Sequence, residues 1–241
     1  KTGTYNFRQH LRPIFIFFAT SAAISVYTNL DVVMLRFMKN DAEVGYYNAA
    51  IKVKTILVSL ITSLGTVLLP RLSFYVRMKD KDAFHSTIVK AFNFVLVLGS
   101  SVTVYFMLFT KETILVLLGK GFYPAIMPMF LLMPTVLFIG LSNITGIQIL
   151  TPINKEKQVL ISIIYGAVLD FVLNLILIPG YGASGAAFAT LMAEAMVLIV
   201  QCIYLRDMLK SLINELSIGK VAVAAACSSI LIMLIKNMLT L

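Results

Sequence analysis

Charged residues are scarce in this chain, because Asp, Glu, Lys and Arg make up only 13% of its 241 residues. An ordinary soluble domain carries about 25%. Hydrophobic residues make up 59% of the chain instead, and several apolar runs approach or exceed the roughly 20 residues that cross a hydrocarbon core. Spanning segments must be helices or a closed barrel, and these runs lack the alternation of barrel strands. The sequence therefore predicts an all-α polytopic transmembrane helix bundle.

Cysteine and histidine are also rare, with two of each. Cys202 and Cys227 fall inside apolar runs, which indicates small buried side chains rather than a disulfide or a metal site. His10 and His85 lie in polar connections, where a solvated surface position is the usual one. The sequence contains no HExxH, no GxSxG, no Asp-rich metal motif and no phosphate-binding loop. We therefore expect a protein that is not an enzyme and that uses no catalytic residue, metal or cofactor.

Acidic residues are outnumbered, with 11 Asp and Glu against 20 Lys and Arg. The basic residues are scattered in ones and twos, which argues against a nucleic-acid partner. Of these 20, three fall inside predicted spans, twelve lie in connections on one side of the membrane and five on the other. Basic connections stay cytoplasmic, so we expect a multi-pass protein of the cell inner membrane with its N-terminus in the cytoplasm. The uncharged connection 179–185 should then face outward.

Seven spans are predicted, at about residues 13–37, 46–75, 88–109, 124–150, 158–178, 184–205 and 218–235. Pro70 should kink or end the second span, and three prolines should make the start of the fourth irregular. We expect residues 1–206 to form a six-helix lobe and residues 207–241 to begin a trailing peripheral helix pair. The uneven number of spans and the absence of an initial Met predict a piece of a longer protein.

Polar residues recur at helical spacing on four of these spans. Four polar stripes facing lipid would be too costly, so we predict that they converge on a water-filled cavity. The stripes are Ser21, Ser25, Thr28 and Asp31; Asn48, Lys52, Thr55, Ser59, Thr62 and Thr66; Ser162, Gly166, Asp170 and Asn174; and Ala187, Thr190, Glu194 and Gln201.

Two readings of the charged stripe residues stay open: they pair to hold the bundle together or lie near the membrane surface, or they bind a polar substrate. Lys52 is the best candidate for an anion-binding group, since a cation in a low-dielectric cavity attracts an anion strongly. Lys54 points roughly 200° further around the helix and is predicted to extend toward the membrane surface. The candidate coupling residues, for protons or a cation, are Asp170 and Glu194. The candidate substrate-binding residues are Asp31, Asn48, Lys52, Thr55, Ser59 and Asn174.

Several segments together resemble one family. They are Asp31 with Leu35, VGYYNAAIK at 44–52, LLPRLS at 68–73, LLGKGFYPA at 117–125, Asn154 with Lys155, and LNLILIPGYGASGAAFATLMAE at 173–194. In their order and spacing the chain resembles the C-terminal half of the polysaccharide flippases, the O-antigen and capsule exporters related to the multidrug and toxic-compound extrusion transporters. Asp170 departs from the family pattern, in which Asn is expected more often.

The resemblance implies two six-helix lobes around a central cavity, of which this chain supplies the second. Its partners would be the missing N-terminal lobe of the same protein, membrane lipid and an undecaprenyl-diphosphate-linked oligosaccharide, which alternating access would move from the cytoplasmic to the outer leaflet. Two alternatives stay open. A cation-coupled multidrug exporter of the same superfamily would need a cavity dominated by carboxylates, and a polytopic enzyme acting on lipid-linked sugars would need a catalytic cluster in an external loop.

Overall fold

The computed structural model describes residues 8–213, 215, 216 and 219, and its regular structure is entirely helical within this part of the chain. Seven α-helices follow one another in the described part of the chain. A six-residue 3-10 helix, Lys120–Ala125, leads into the fifth of them, and a π-helix, Asn143–Leu150, continues it. The α-helices are α1 (Arg8–Met38), α2 (Asp41–Met78), α3 (Lys81–Leu108), α4 (Thr110–Leu118), α5 (Ile126–Ser142), α6 (Glu156–Tyr204) and α7 (Arg206–Ile213).

Short polar connections join the first three helices. Asn40 caps α2 by accepting a 3.0 Å hydrogen bond from the Glu43 backbone N–H, and Asp80 caps α3 in the same way. Lys79 ends α2 in the left-handed conformation, with φ of 58°. Connections this short make consecutive helices antiparallel neighbours.

Helix α6 is broken at a single residue. Gly182 has φ of 53° and ψ of −132°, a conformation that essentially only glycine adopts. We call the arm before it, residues 156–181, α6a, and the arm after it, residues 183–204, α6b. The prediction of two spans here is confirmed, but the predicted connection at 179–185 is too long. Helical backbone continues through Pro179 to Tyr181 and resumes at Ala183.

The two arms of α6 pack against each other as an antiparallel hairpin. A Cβ added to Gly185 would lie 2.6 Å from the Leu177 carbonyl oxygen, and one added to Gly166 would lie 2.5 Å from Val197 Cγ2. The absence of side chains at these glycines therefore lets the two backbones approach closely, as small residues do between membrane helices.

The described residues contain four helical stretches that are long and apolar enough to cross a membrane: Asp41–Met78, Lys81–Leu108, Lys120–Leu150 and Glu156–Tyr204. The break at Gly182 divides the last stretch into arms of about 39 and 33 Å at 1.5 Å per residue, each longer than a hydrocarbon core of about 30 Å. The fold is thus an all-α polytopic membrane bundle. The predicted span at 218–235 lies outside the described residues except for Gly219, and the domain boundary at residue 206 stays a prediction.

Pro70 does not end α2. The helix continues through this residue and ends eight residues later at Met78, and the alternative of a kink at Pro70 stays a prediction. The irregular start of the fourth span is confirmed, since Pro124 lies in the 3-10 helix rather than in an α-helix.

Helix α5 lies at the centre of the described bundle and contacts α2, α3 and α6. Met129, Leu132, Met133 and Val136 on this helix are completely buried. The continuation of α5 as a π-helix was not predicted. Hydrogen bonds in a π-helix join residues five apart rather than four, as between the Thr151 N–H and the Gly146 carbonyl at 3.1 Å.

Candidate functional site

A cavity of about 380 Å³ lies inside the bundle. We call it the chamber. It is bounded by α1, α2, the end of α5 with the π-helix, and both arms of α6. Its wall is largely aliphatic and carries three charged side chains, Asp31, Lys54 and Glu194. The neutral polar residues that line it are Thr28, Tyr47, Thr55, Ser142, Asn143 and Thr190.

Asp31 is the centre of a buried polar cluster at one wall of the chamber. Its Oδ1 accepts a 2.6 Å hydrogen bond from Asn174 Nδ2. Its Oδ2 accepts hydrogen bonds from the Tyr47 hydroxyl and from Thr190 Oγ1, the latter at 2.9 Å. Three donors converge on one carboxylate, which is an arrangement that stabilises a negative charge. We call Asp31, Tyr47, Asp170, Asn174 and Thr190 the Asp31 cluster.

Asp170 lies behind Asp31 and is fully buried. Asn174 connects the two carboxylates, because its Nδ2 also donates to Asp170 Oδ2 at 3.0 Å. The remaining oxygens, Asp170 Oδ1 and Asn174 Oδ1, have no hydrogen-bond partner among the described residues. Buried acceptors without a donor are costly. Asp170 Oδ1 is therefore suited to a proton, and both oxygens are suited to a water molecule or a cation.

Local structure explains how these residues meet. Asp170 and Asn174 are four residues apart on α6a and therefore share one face. Asn174 lies eight residues before Gly182 and Thr190 lies eight residues after it, so the hairpin places them at the same depth. Asp31, near the end of α1, and Tyr47, near the start of α2, are brought to that depth by the connection between those helices.

A second contact ties α2 to the turn of α6 and was missed from the sequence. The Ala183 N–H, at the start of α6b, donates a 2.6 Å hydrogen bond to Glu43 Oε2. A carboxylate at this position also interacts favourably with the positive end of the helix dipole. The two residues are 140 positions apart, and no periodic pattern connects them.

A smaller polar cluster lies further along the α6 hairpin, away from Gly182. The Gln201 amide accepts from Thr145 Oγ1 at 2.5 Å and donates to Ser162 Oγ at 3.0 Å. The stripes on α6a and α6b identified Ser162 and Gln201. Thr145 was missed because it lies in the π-helix, whose period differs from that of an α-helix.

The structure brings only some of the predicted site residues together. Asp31, Asn174 and Asp170 meet in the Asp31 cluster, while Thr55 and Glu194 line the chamber. Asn48, Lys52 and Ser59 do not line it. The chamber therefore does not collect all four stripes, because most of the α2 stripe lies on a different face of that helix. Their convergence on a substrate cavity stays a prediction.

The two lysines of α2, Lys52 and Lys54, have exchanged the positions that we predicted for them relative to a cavity. Lys54 lines it, whereas Lys52 is exposed on the other side of the helix. Buried residues of α2, including Ala50, Val53 and Leu57, set the rotation of the helix. Lys54 lies close to this buried side, and Lys52 is turned away because two residues correspond to about 200° of rotation.

Comparison with known proteins agrees with this architecture. Residues 1–76 match the family described as polysaccharide biosynthesis protein. The putative O-antigen transporter of Escherichia coli (strain K12) is 26% identical over 212 residues, covering 84% of this chain and 49% of the transporter. The putative O-antigen transporter of Shigella dysenteriae is 27% identical over 192 residues, covering 78% of this chain and 47% of that protein.

The family match and these two relatives support similarity to the polysaccharide flippases. The chain spans about half the length of the curated relatives it matches.

Solved structures of related fold support the same architecture. A crystal structure of MATE in the bent conformation has a TM-score of 0.65 at 20% identity, covering 78% of this chain and 42% of the MATE chain. A multidrug resistance MATE family transporter of the MOP superfamily, in its outward-facing conformation, has a TM-score of 0.68 at 19% identity, covering 79% of this chain and 43% of that transporter. At these identities the likeness concerns the fold alone.

Proposed function

We propose that this chain forms one lobe of a transporter that moves an undecaprenyl-diphosphate-linked oligosaccharide from the cytoplasmic to the outer leaflet by alternating access. The observation that carries the proposal is the similarity to O-antigen transporters along 84% of the chain. We infer transport rather than enzymatic catalysis, because both of these relatives are named as transporters.

The exposed polar face of α2 supports a substrate path outside the chamber. Lys52, Ser59 and Thr66 are all exposed on a helix long and apolar enough to span a membrane. A face of this kind is unfavourable against lipid, so we assign it to the surface that meets the other lobe. Lys52 would bind the diphosphate there, because an ammonium group is a compact positive charge with three donors.

The size of the chamber gives it a different role from that of the substrate path. A volume of about 380 Å³ is at the low end of pockets for drug-sized ligands. An oligosaccharide joined to a long prenyl chain is much larger than such a ligand. We therefore assign the chamber to coupling, with Asp170 and Glu194 as the carboxylates that exchange a proton or a cation while the substrate moves along the outer face of α2.

We propose that the lobe sits in the inner membrane with the start of α1 in the cytoplasm. The connection between α2 and α3, where Arg77, Lys79 and Lys81 are exposed, would then face the cytoplasm, in accordance with the positive-inside rule. The uncharged turn at Gly182 would face outward.

Complementation of a flippase-deficient strain with the complete gene tests the proposal, with surface glycan as the readout. We expect Lys52→Ala to abolish surface glycan while the amount of protein in the membrane stays unchanged. Lys90→Ala is the matched control, because Lys90 is also an exposed lysine on a membrane helix but lies on α3. Retained surface glycan in the Lys52→Ala strain would remove this lysine from the mechanism.

A cation-coupled exporter of drugs is a second candidate, favoured by the fold shared with multidrug resistance MATE transporters. The carboxylates at the chamber would suit a cationic drug, whereas Lys52 on the exposed face would not. Drug susceptibility measured in the same strains separates the two functions. An exporter of drugs would change the susceptibility and leave the surface glycan unrestored.

A further inference from the structure

The π-helix at residues 143–150 forms part of the wall of the chamber, and three of its residues, Asn143, Gly146 and Ile147, line it. Helices of this kind are rare and are frequently found at functional sites. Because its hydrogen bonds join residues five apart, a π-helix holds more residues per turn than an α-helix. A return to α-helical bonding would release one residue and rotate its neighbours by about 100°. The side chains that face the chamber would then change.

Two side-chain hydrogen bonds hold the π-helical register. Gln148 Nε2 donates to Asn143 Oδ1 at 3.0 Å, and Thr151 Oγ1 donates to the Gly146 carbonyl at 3.3 Å. Each bond joins residues five apart, which is the spacing of the backbone hydrogen bonds in a π-helix. On an α-helix, residues five apart point about 140° away from each other. Both bonds are therefore specific to the π-helical register.

Glycines on both sides make room for the amide side chains of this segment. A Cβ added to Gly65 of α2 would lie 2.8 Å from both Asn143 Oδ1 and Gln148 Nε2. A Cβ added to Gly146 would lie 2.9 Å from Nε2 of Gln201 on α6b. Contacts this short are not tolerated in a packed interior. The π-helical register therefore depends on the absence of side chains at these two glycines.

The same register leaves one buried polar atom unsatisfied. Gln148 is buried, and its Oε1 has no hydrogen-bond partner among the described residues. A buried acceptor without a donor raises the free energy of the register that contains it. The segment thus combines bonds that hold one register with a cost that opposes it. An element that has two discrete arrangements of similar free energy can act as a conformational switch.

We propose that the π-helix is a register switch, which alternates with an α-helical form in which the extra residue has passed into the turn at 151–154. In that form residues 144–150 rotate relative to α5, the Asn143–Gln148 bond is broken, and Gly146 and Ile147 turn away from the chamber. The wall of the chamber thus changes while the earlier part of α5 keeps its packing. The inference rests on the proposed function for its purpose, because alternating access requires an element with two arrangements.

The test uses the complete protein in detergent, with its native cysteines replaced by serine and a trifluoromethyl probe on the cysteine of an Ile147→Cys variant. Ile147 is 43% exposed, so a cysteine there can be labelled. We expect the fluorine spectrum to show two resonances, or one resonance with relaxation dispersion, since helix register shifts take microseconds to milliseconds.

Gly65→Ala should raise the ratio of the second form to the first about tenfold, because the overpacked Cβ displaces both amides. Gly45→Ala is the matched control on the same helix. A Cβ added there meets no atom within 4 Å, so its spectrum should match that of the unsubstituted protein. Asn143→Ala removes the acceptor of the Gln148 bond and should populate the same second form as Gly65→Ala.

Three results would overturn the proposal. The first is a single resonance without relaxation dispersion in the protein that carries only the probe, which is decisive even if Gly65→Ala does not fold. The second is an unchanged ratio in Gly65→Ala. The third is a resonance in Gly65→Ala and Asn143→Ala that the unsubstituted protein never populates, which indicates local distortion. Because these spectra do not involve transport, a failed complementation test would leave them interpretable.

Discussion

The single-residue break in α6 makes Gly182→Ala the most informative stability prediction. Gly182 has φ of 53° and ψ of −132°. A Cβ there would collide with Glu43 Oε2 and would lie 2.7 Å from the Cδ of the same side chain. The alanine therefore forces an unfavourable backbone conformation and also pushes away the carboxylate that accepts the hydrogen bond from Ala183.

The two effects can be estimated separately. A non-glycine residue in this backbone region costs about 1–3 kcal/mol. Loss of a hydrogen bond to a charged group costs about 1.5–3 kcal/mol. Together they give about 2.5–6 kcal/mol, or a fall in melting temperature on the order of 10 °C.

The assay is thermal or denaturant unfolding of the complete protein in detergent. Gly180→Ala is the matched control, because Gly180 is helical and a Cβ added to it meets no atom within 4 Å. An alanine there should be neutral or stabilise by up to about 1 kcal/mol. In a protein that already carries Glu43→Ala, Gly182→Ala should cost only the about 1–3 kcal/mol of the unfavourable backbone conformation. A Gly182→Ala protein as stable as the wild type, or no more affected than the control, would refute the reasoning.

Two further substitutions test the α6 hairpin and the coupling carboxylate. Gly166→Ala should lower the free energy of unfolding by about 1–3 kcal/mol through overpacking, because the added Cβ would lie 2.5 Å from Val197 Cγ2. Adding Val197→Ala to the same protein should recover part of that loss. Additive losses in the double variant would contradict close packing of the two arms. Asp170→Asn removes a buried carboxylate, so it should reduce transport and flatten the dependence of transport on pH or sodium. Transport that is unchanged across a range of pH and sodium concentration would exclude Asp170 from coupling.

Periodicity identified several of the residues that meet in the site. Asp170 and Asn174 share a face of one helix because they are four residues apart, and Asp31 and Thr190 were found on stripes of their own. A stripe shows which residues share a helix face. It contains no information on what that face contacts, so the position of Lys54 in the chamber and of Lys52 outside it was predicted the wrong way round.

Contacts between distant parts of the chain were not predictable in this way. Glu43 reaches the Ala183 N–H across 140 residues, and Thr145 meets Gln201 from a π-helix whose period no α-helical pattern reveals. Both depend on how whole helices are placed relative to one another. That placement arises from packing around α5, which involves residues from every part of the described bundle.

The sequence by itself determined that the protein is a helical membrane bundle. A chain with so few charges must satisfy its backbone within the membrane, and its long apolar runs lack the alternation of barrel strands, which leaves helices. It also determined where α6 folds back, since Gly182 and its small neighbours permit a sharp break and close packing. The tertiary structure alone decided which side of α2 faces the chamber. The physical reason is that the buried residues of α2 fix the rotation of the helix only when their partners on α5 and α6 are in place.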